Sequence, residues 1–102
     1  MDSLASDLRS DKVCISTVRT VIKNRLGLHA RAAAKLATVA GNFKSAVVLS
    51  KDELEADARS ILSLLSLGCG YNSEVVVTCA GEDSKACLAA LTEVIDKKFG
   101  ED

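Results

Sequence analysis

The sequence predicts an α+β fold: a two-layer open-faced sandwich in the order βαββαβα, with antiparallel strands and helices packed on one face of the sheet. Three observations lead there. The apolar periodicity switches repeatedly between the alternation of strands and the three-to-four spacing of helices. Every connection between these segments is short, which favours antiparallel neighbours over parallel strands joined by long crossovers. With 102 residues, the chain can fill one core but not two.

Each element has its own local reasons. Residues 1–12 mix Ser, Asp, Lys and Arg with isolated leucines, so they read as a flexible polar tail ahead of a domain at 13–102. They contain no apolar run and make neither a signal peptide nor a membrane span. Residues 13–23 are rich in β-branched side chains, and Arg19 and Lys23 on one parity turn Val18, Thr20 and Ile22 inward as a first strand. Residues 24–28 form a turn, for which Gly27 supplies tolerance of positive φ. The alanine-rich stretch 30–40 is a helix that shows Ala33, Leu36, Ala37 and Ala40 to the sheet and stops at Gly41-Asn42.

A second strand spans 43–50, a polar turn falls at Lys51-Asp52, and a short third strand at 54–57 completes a hairpin. Residues 60–67 form a two-turn helix ended by Gly68 and Gly70, with Ser60 at its N-cap. Leu64 and Leu67 can face the sheet. Ile61, Leu62 and Leu65 then fall on the opposite side as an apolar patch, which marks a contact surface or a dimer interface. The run Val75-Val76-Val77 defines a strand at 73–80 closed by Gly81. A last helix, 83–99, repeats Cys87, Leu88, Leu91, Val94 and Ile95 on one face, with Lys97 and Lys98 near its C-terminal end.

Composition narrows the function. Aromatic residues make up 3% of the chain, so the core is aliphatic and alanine-rich. A formal charge of −1, from 13 basic and 14 acidic residues, gives no footprint for nucleic acid. Lys23, Arg25, Arg31 and Lys35 lie close to His29 in the sequence, which suits an acidic protein partner or a phosphoryl group, or a solvated basic face. Cys14, Cys69, Cys79 and Cys87 include no C-x-x-C pair. Cys14, Cys79 and Cys87 fall in apolar patterns where a thiol behaves as a small hydrophobe. Reduced thiols, a cytoplasmic location and no metal or cofactor are expected.

The chemistry centres on His29, the only histidine, at the mouth of the 30–40 helix. A neutral imidazole carries a free lone pair on one ring nitrogen and can attack phosphorus without a separate base. The first N–H groups of the following helix have no partner inside it and lie at the positive end of its dipole. Arg31 adds a planar fork of donors. A phosphoryl group on His29 would be solvated there, although the same pattern also fits a histidine that merely caps a helix.

Gly27-Leu28-His29-Ala30-Arg31-Ala32-Ala33-Ala34 resembles the active-site motif of the HPr family, the histidine phosphocarriers of the bacterial phosphotransferase system. The resemblance continues through Glu55-Ala56-Asp57-Ala58-Arg59-Ser60-Ile61-Leu62 and ends near Phe99-Gly100-Glu101. It implies a four-stranded antiparallel sheet covered by three helices. It also implies that His29 accepts a phosphoryl group on Nδ1 from phospho-enzyme I and passes it to a IIA-type domain in sugar uptake. Arg31 and the backbone of Ala30, Arg31 and Ala32 hold the phosphate. Ile61, Leu62 and Leu65 dock both partners.

In some members of the family the residue matching Ser60 is phosphorylated by an HPr serine kinase, which weakens docking. Ala32 departs from the family's proline and leaves an extra N–H near the phosphate. The expected protein is a monomer without membrane insertion, a covalent intermediate in a relay rather than a self-contained enzyme. A regulatory, nitrogen-type phosphorelay and a non-phosphorylated binding module are the alternatives. A cysteine metal site is a more distant one.

Overall fold

A computed structural model describes residues 14–101; the tail expected at 1–12 lies outside the described residues. The strands are β1 (Ile15–Val21), β2 (Ala46–Lys51), β3 (Leu54–Asp57) and β4 (Glu74–Ala80). The helices are α1 (Ala30–Ala40), α2 (Ile61–Leu65) and α3 (Ser84–Asp96), followed by a tight turn at Lys98–Gly100. The expected βαββαβα order is the one observed. The sheet runs β1-β4-β2-β3 with every pair antiparallel, so β1 and β3 are its edges.

Alternation decides which face of the sheet is covered. Val47 and Leu49 of β2, Ala56 of β3, and Val75, Val77 and Cys79 of β4 are buried under the helices. Their neighbours point the other way, where the registered pair Thr17 and Thr78 join hydroxyls at 3.1 Å on the open face. From above, α1 contributes Ala32, Ala33, Leu36 and Ala40, α2 contributes Leu64, and α3 contributes Cys87, Leu91 and Ile95. Ala37 is only half-buried against this core. Alanine on α1 lets the helix lie close to the sheet, and Phe99 fills the remaining volume beside it.

The strand expected at 43–50 begins three residues late, at Ala46, and the reason is side-chain capture of its backbone. The Arg59 guanidinium donates to the carbonyls of Phe43 and Ser45, while the Asp83 carboxylate accepts from the N–H groups of Lys44 and Ser45. Groups that would have joined a ladder are already satisfied. These donors, led by the Ser45 hydroxyl, hold the Asp83 carboxyl below its usual range. A depressed carboxyl stabilises the fold above its ordinary pKa and loses that contribution as the pH falls through its lower folded value. Asp83→Asn should therefore lower the Tm by several degrees at neutral pH. The difference from wild type should shrink in thermal melts taken towards pH 3, below the reference value of 3.8.

Two further expectations need correction. Helix α3 ends at Asp96 instead of continuing to residue 99, because Lys98 and Phe99 adopt φ of 58° and 57°, outside the right-handed helical region. Cys14, expected in an apolar pattern, is exposed among the described residues, since it lies just before the edge strand β1 and outside the helix-covered sheet. Cys69, Cys79 and Cys87 are buried thiols. Burial, reinforced by a hydrogen bond with Cys87, pushes the Cys79 thiol up to about 12 and keeps it protonated. Among the described residues no helix is long and apolar enough to cross a membrane, and no acidic, Cys or His side chains cluster as a metal site.

Candidate functional site: a histidine at the mouth of α1

The turn between β1 and α1 is built to deliver His29. Gly27 takes φ of 71°, and its N–H donates to the Asn24 carbonyl at 3.1 Å. Leu28 donates to the Cys69 carbonyl at 2.9 Å, which ties the turn to the segment after α2. His29 then stands at the N-cap in extended conformation, with its side chain making no capping bond. Its carbonyl accepts from the Ala33 N–H at 2.8 Å and opens the helical ladder. The N–H groups of Ala30, Arg31 and Ala32 precede that ladder, so they have no acceptor within the helix. Ala32 keeps the donor that a proline there would remove, and its methyl is fully buried.

Among the described residues, the imidazole is held at Nε2. Nε2 lies 2.9 Å and 3.1 Å from the two carboxylate oxygens of Glu101. Asn24 donates one amide hydrogen to Glu101 at 3.0 Å and the other to the Gly27 carbonyl at 2.7 Å, which fixes the orientation of its buried amide. Its Oδ1 is left buried without a partner among the described residues, a cost of about 1–3 kcal/mol accepted for the sake of those donors. The bond from Asn24, followed by that from His29, lowers the Glu101 pKa, so the carboxylate is ionised and can only accept. Nε2 therefore carries the proton, and in the neutral ring the lone pair sits on Nδ1. That is the tautomer a nucleophilic Nδ1 requires.

Arg31 Nε lies 3.7 Å from Glu101, and its side chain is largely exposed, which leaves it able to reach an incoming anion. The other basic residues grouped near His29 by sequence are less available. Lys23 pairs with Asp96 at 2.7 Å and Lys35 donates to the Phe99 carbonyl at 2.7 Å.

On α2, Ser60 caps the helix by accepting from the Ser63 N–H at 3.2 Å. Leu64 and Leu67 are buried, whereas Ile61, Leu62 and Leu65 are exposed by 41%, 80% and 37%, the division that helical spacing predicts. Sequence reasoning missed three contributors. Leu26, 66% exposed in the turn that carries His29, is an apolar residue where turn chemistry favours polar ones. Asn24 opens that same turn. Glu101 closes the motif at Phe99-Gly100-Glu101, but 72 residues of separation hide its contact with His29 from any local pattern.

An open-faced sandwich that sets an imidazole at a helix N-terminus, with an arginine two residues along, has the parts a phosphoryl-accepting site would need. Comparison with known proteins identifies the family. The family model for the PTS HPr component phosphorylation site matches residues 16–97. Phosphocarrier protein HPr of Cupriavidus necator is 44% identical over 80% of this chain and 92% of its own. Phosphocarrier protein NPr of Shewanella violacea is 40% identical over 81% of this chain and 91% of its own. The crystal structure of HPr from Thermoanaerobacter tengcongensis superposes with a TM-score of 0.82 at 37% identity, covering 85% of this chain and 98% of that one. The chain belongs to the HPr family of phosphocarrier proteins.

Proposed function

We propose that His29 accepts a phosphoryl group from the phosphohistidine of an enzyme I and passes it to a histidine of a IIA-type domain. The observation that carries this reading is the Glu101 contact at Nε2, which leaves the Nδ1 lone pair free beside the start of α1. The lone pair of Nδ1 forms a bond to phosphorus as the donor's N–P bond breaks, and the donor nitrogen keeps that electron pair. The ring becomes cationic, and the Glu101 carboxylate at Nε2 offsets the new charge. The phosphoryl oxygens meet the N–H groups of Ala30, Arg31 and Ala32 and the Arg31 fork, while the helix dipole favours their charge. Transfer onward runs the same step in reverse. The carrier acts as a cytoplasmic monomer whose contacts are brief, because it must leave each partner after transfer.

Ile61, Leu62 and Leu65 form the docking patch, and Leu26 is a further exposed apolar residue in the turn that carries His29. Leu62 is the most exposed of them, so Leu62→Asp should leave thermal stability unchanged. The KM for transfer from phospho-enzyme I should rise by roughly tenfold, with kcat retained, because only binding common to ground and transition states is lost. Steady-state transfer kinetics check this.

Intact mass after incubation with phosphoenolpyruvate and enzyme I tests the central reading. A gain of one acid-labile phosphoryl group supports it. No gain, with an enzyme I shown to be active on another carrier, overturns it. A nitrogen-type regulatory relay is the second reading, favoured by the near-equal identity to relatives named HPr and NPr, 44% and 40%. Capture of the acceptor that takes the phosphoryl group from the charged protein separates the two.

A further inference from the structure

We infer that Lys35 is a positioning residue for His29, acting through the C-terminal turn that delivers Glu101 to the imidazole. This rests on the phosphocarrier reading above. Lys98, Phe99 and Gly100 stand in succession at φ of 58°, 57° and 78°. The first two carry a Cβ, for which this left-handed region is unfavourable, so the turn persists only where its surroundings hold it. The holding contacts are few and specific. The Phe99 ring is buried at 1% exposure, and the Phe99 carbonyl accepts a charge-assisted bond from Lys35 Nζ at 2.7 Å. Within the turn, Gly100 donates to the Lys97 carbonyl and Glu101 to that of Lys98, both at 3.0 Å.

The result is that α1 clamps the very segment whose next residue touches the catalytic ring. His29 opens α1 and Lys35 sits six positions further along it, so one helix holds both the imidazole and the strap that orients it. With the ammonium removed, the half-buried Phe99 carbonyl loses its donor, and the strained turn can relax towards ordinary backbone angles. Glu101 would then leave Nε2. The imidazole would lose both its fixed orientation and the counter-charge for the phosphorylated ring.

The test compares Lys35→Met, Lys35→Arg, Glu101→Gln and the double variant Lys35→Met/Glu101→Gln, each first confirmed as folded by thermal melting. In transfer from phospho-enzyme I, Lys35→Met should lower kcat by roughly five- to tenfold while KM stays within about twofold. Lys35→Arg should restore most of the rate, since it again donates a charged hydrogen bond. Glu101→Gln should fall by a similar factor, and the double variant no further, because the two residues act on one step in series.

An unaffected Lys35→Met, or losses that multiply in the double variant, would overturn the proposal. A second measurement is independent of phosphoryl transfer. The Nε2–H proton of His29 should be seen by NMR in the unphosphorylated wild type and in Lys35→Arg, and be lost to solvent exchange in Lys35→Met and Glu101→Gln. A persistent signal in Lys35→Met refutes the strap whatever the kinetics. If the wild type takes no phosphoryl group at all, the phosphocarrier reading fails, and this spectrum alone decides whether Lys35 holds Glu101.

Discussion

His29→Ala is expected to abolish phosphorylation of the chain by phosphoenolpyruvate and enzyme I, leaving its intact mass unchanged where the wild type gains one phosphoryl group. The expectation is total loss because His29 is the only histidine, so no second imidazole stands at the mouth of α1. The one exposed thiol among the described residues, Cys14, precedes the start of β1, at the opposite end of that strand from the turn carrying His29. The buried thiols cannot substitute, since a group held protonated in the interior is a poor nucleophile. The fold should survive, because the imidazole makes no capping bond and the backbone carbonyl of residue 29 opens the helical ladder whatever the side chain. A melting temperature within a few degrees of wild type, together with absent phosphorylation, places the defect in the chemistry. Phosphorylation retained by His29→Ala would mean that another nucleophile carries the group.

How much of this was legible in the sequence depended on whether the cause was local. Helix α1 runs over Ala30–Ala40 as its alanine content and the Gly41-Asn42 stop predict, and β3 at Leu54–Asp57 follows from its hairpin turn. The two faces of α2 follow from spacing alone. Where the sequence reading went astray, the cause was a distant side chain. Strand β2 starts late because Arg59 and Asp83, 14 and 38 residues away from Ser45, occupy its backbone. The site shows the same division. His29, its helix and Arg31 are neighbours in sequence and could be read together. Glu101, which fixes the tautomer, reaches His29 only because the chain leaves α3 through a left-handed turn that the helical pattern of residues 83–99 gives no reason to expect. Charge counting failed for a related reason. Lys23 and Lys35 are near His29 in sequence, but their ammonium groups are committed to Asp96 and to the Phe99 carbonyl.

The dependence of the site on its entry turn gives the second large effect, on Gly27→Ala. At φ of 71° any side chain is strained, by about 1–2 kcal/mol. Space makes matters worse. A Cβ on Gly27 would sit 2.5 Å from the Cys69 carbonyl oxygen and 2.7 Å from the Gly70 Cα, well inside contact distance. Both neighbours are backbone, so no rotamer change relieves the clash. The same carbonyl oxygen accepts the Leu28 N–H, and the Gly27 carbonyl accepts from Asn24, so moving either segment breaks a bond that places His29.

The combined cost should be about 3 kcal/mol, which for a domain of this size lowers the Tm by roughly 10–20 °C. Phosphoryl transfer, measured well below the new Tm, should fall by about a hundredfold as the imidazole shifts relative to the first turn of α1. Gly68→Ala is the control that separates the two terms. Its φ is 66°, yet a Cβ there meets nothing within 4 Å. It should lose only about 1 kcal/mol and keep its transfer rate. If Gly27→Ala behaved like Gly68→Ala, close approach to the 69–70 backbone would not be what places His29, and the turn would have to hold the site through the Asn24 amide instead.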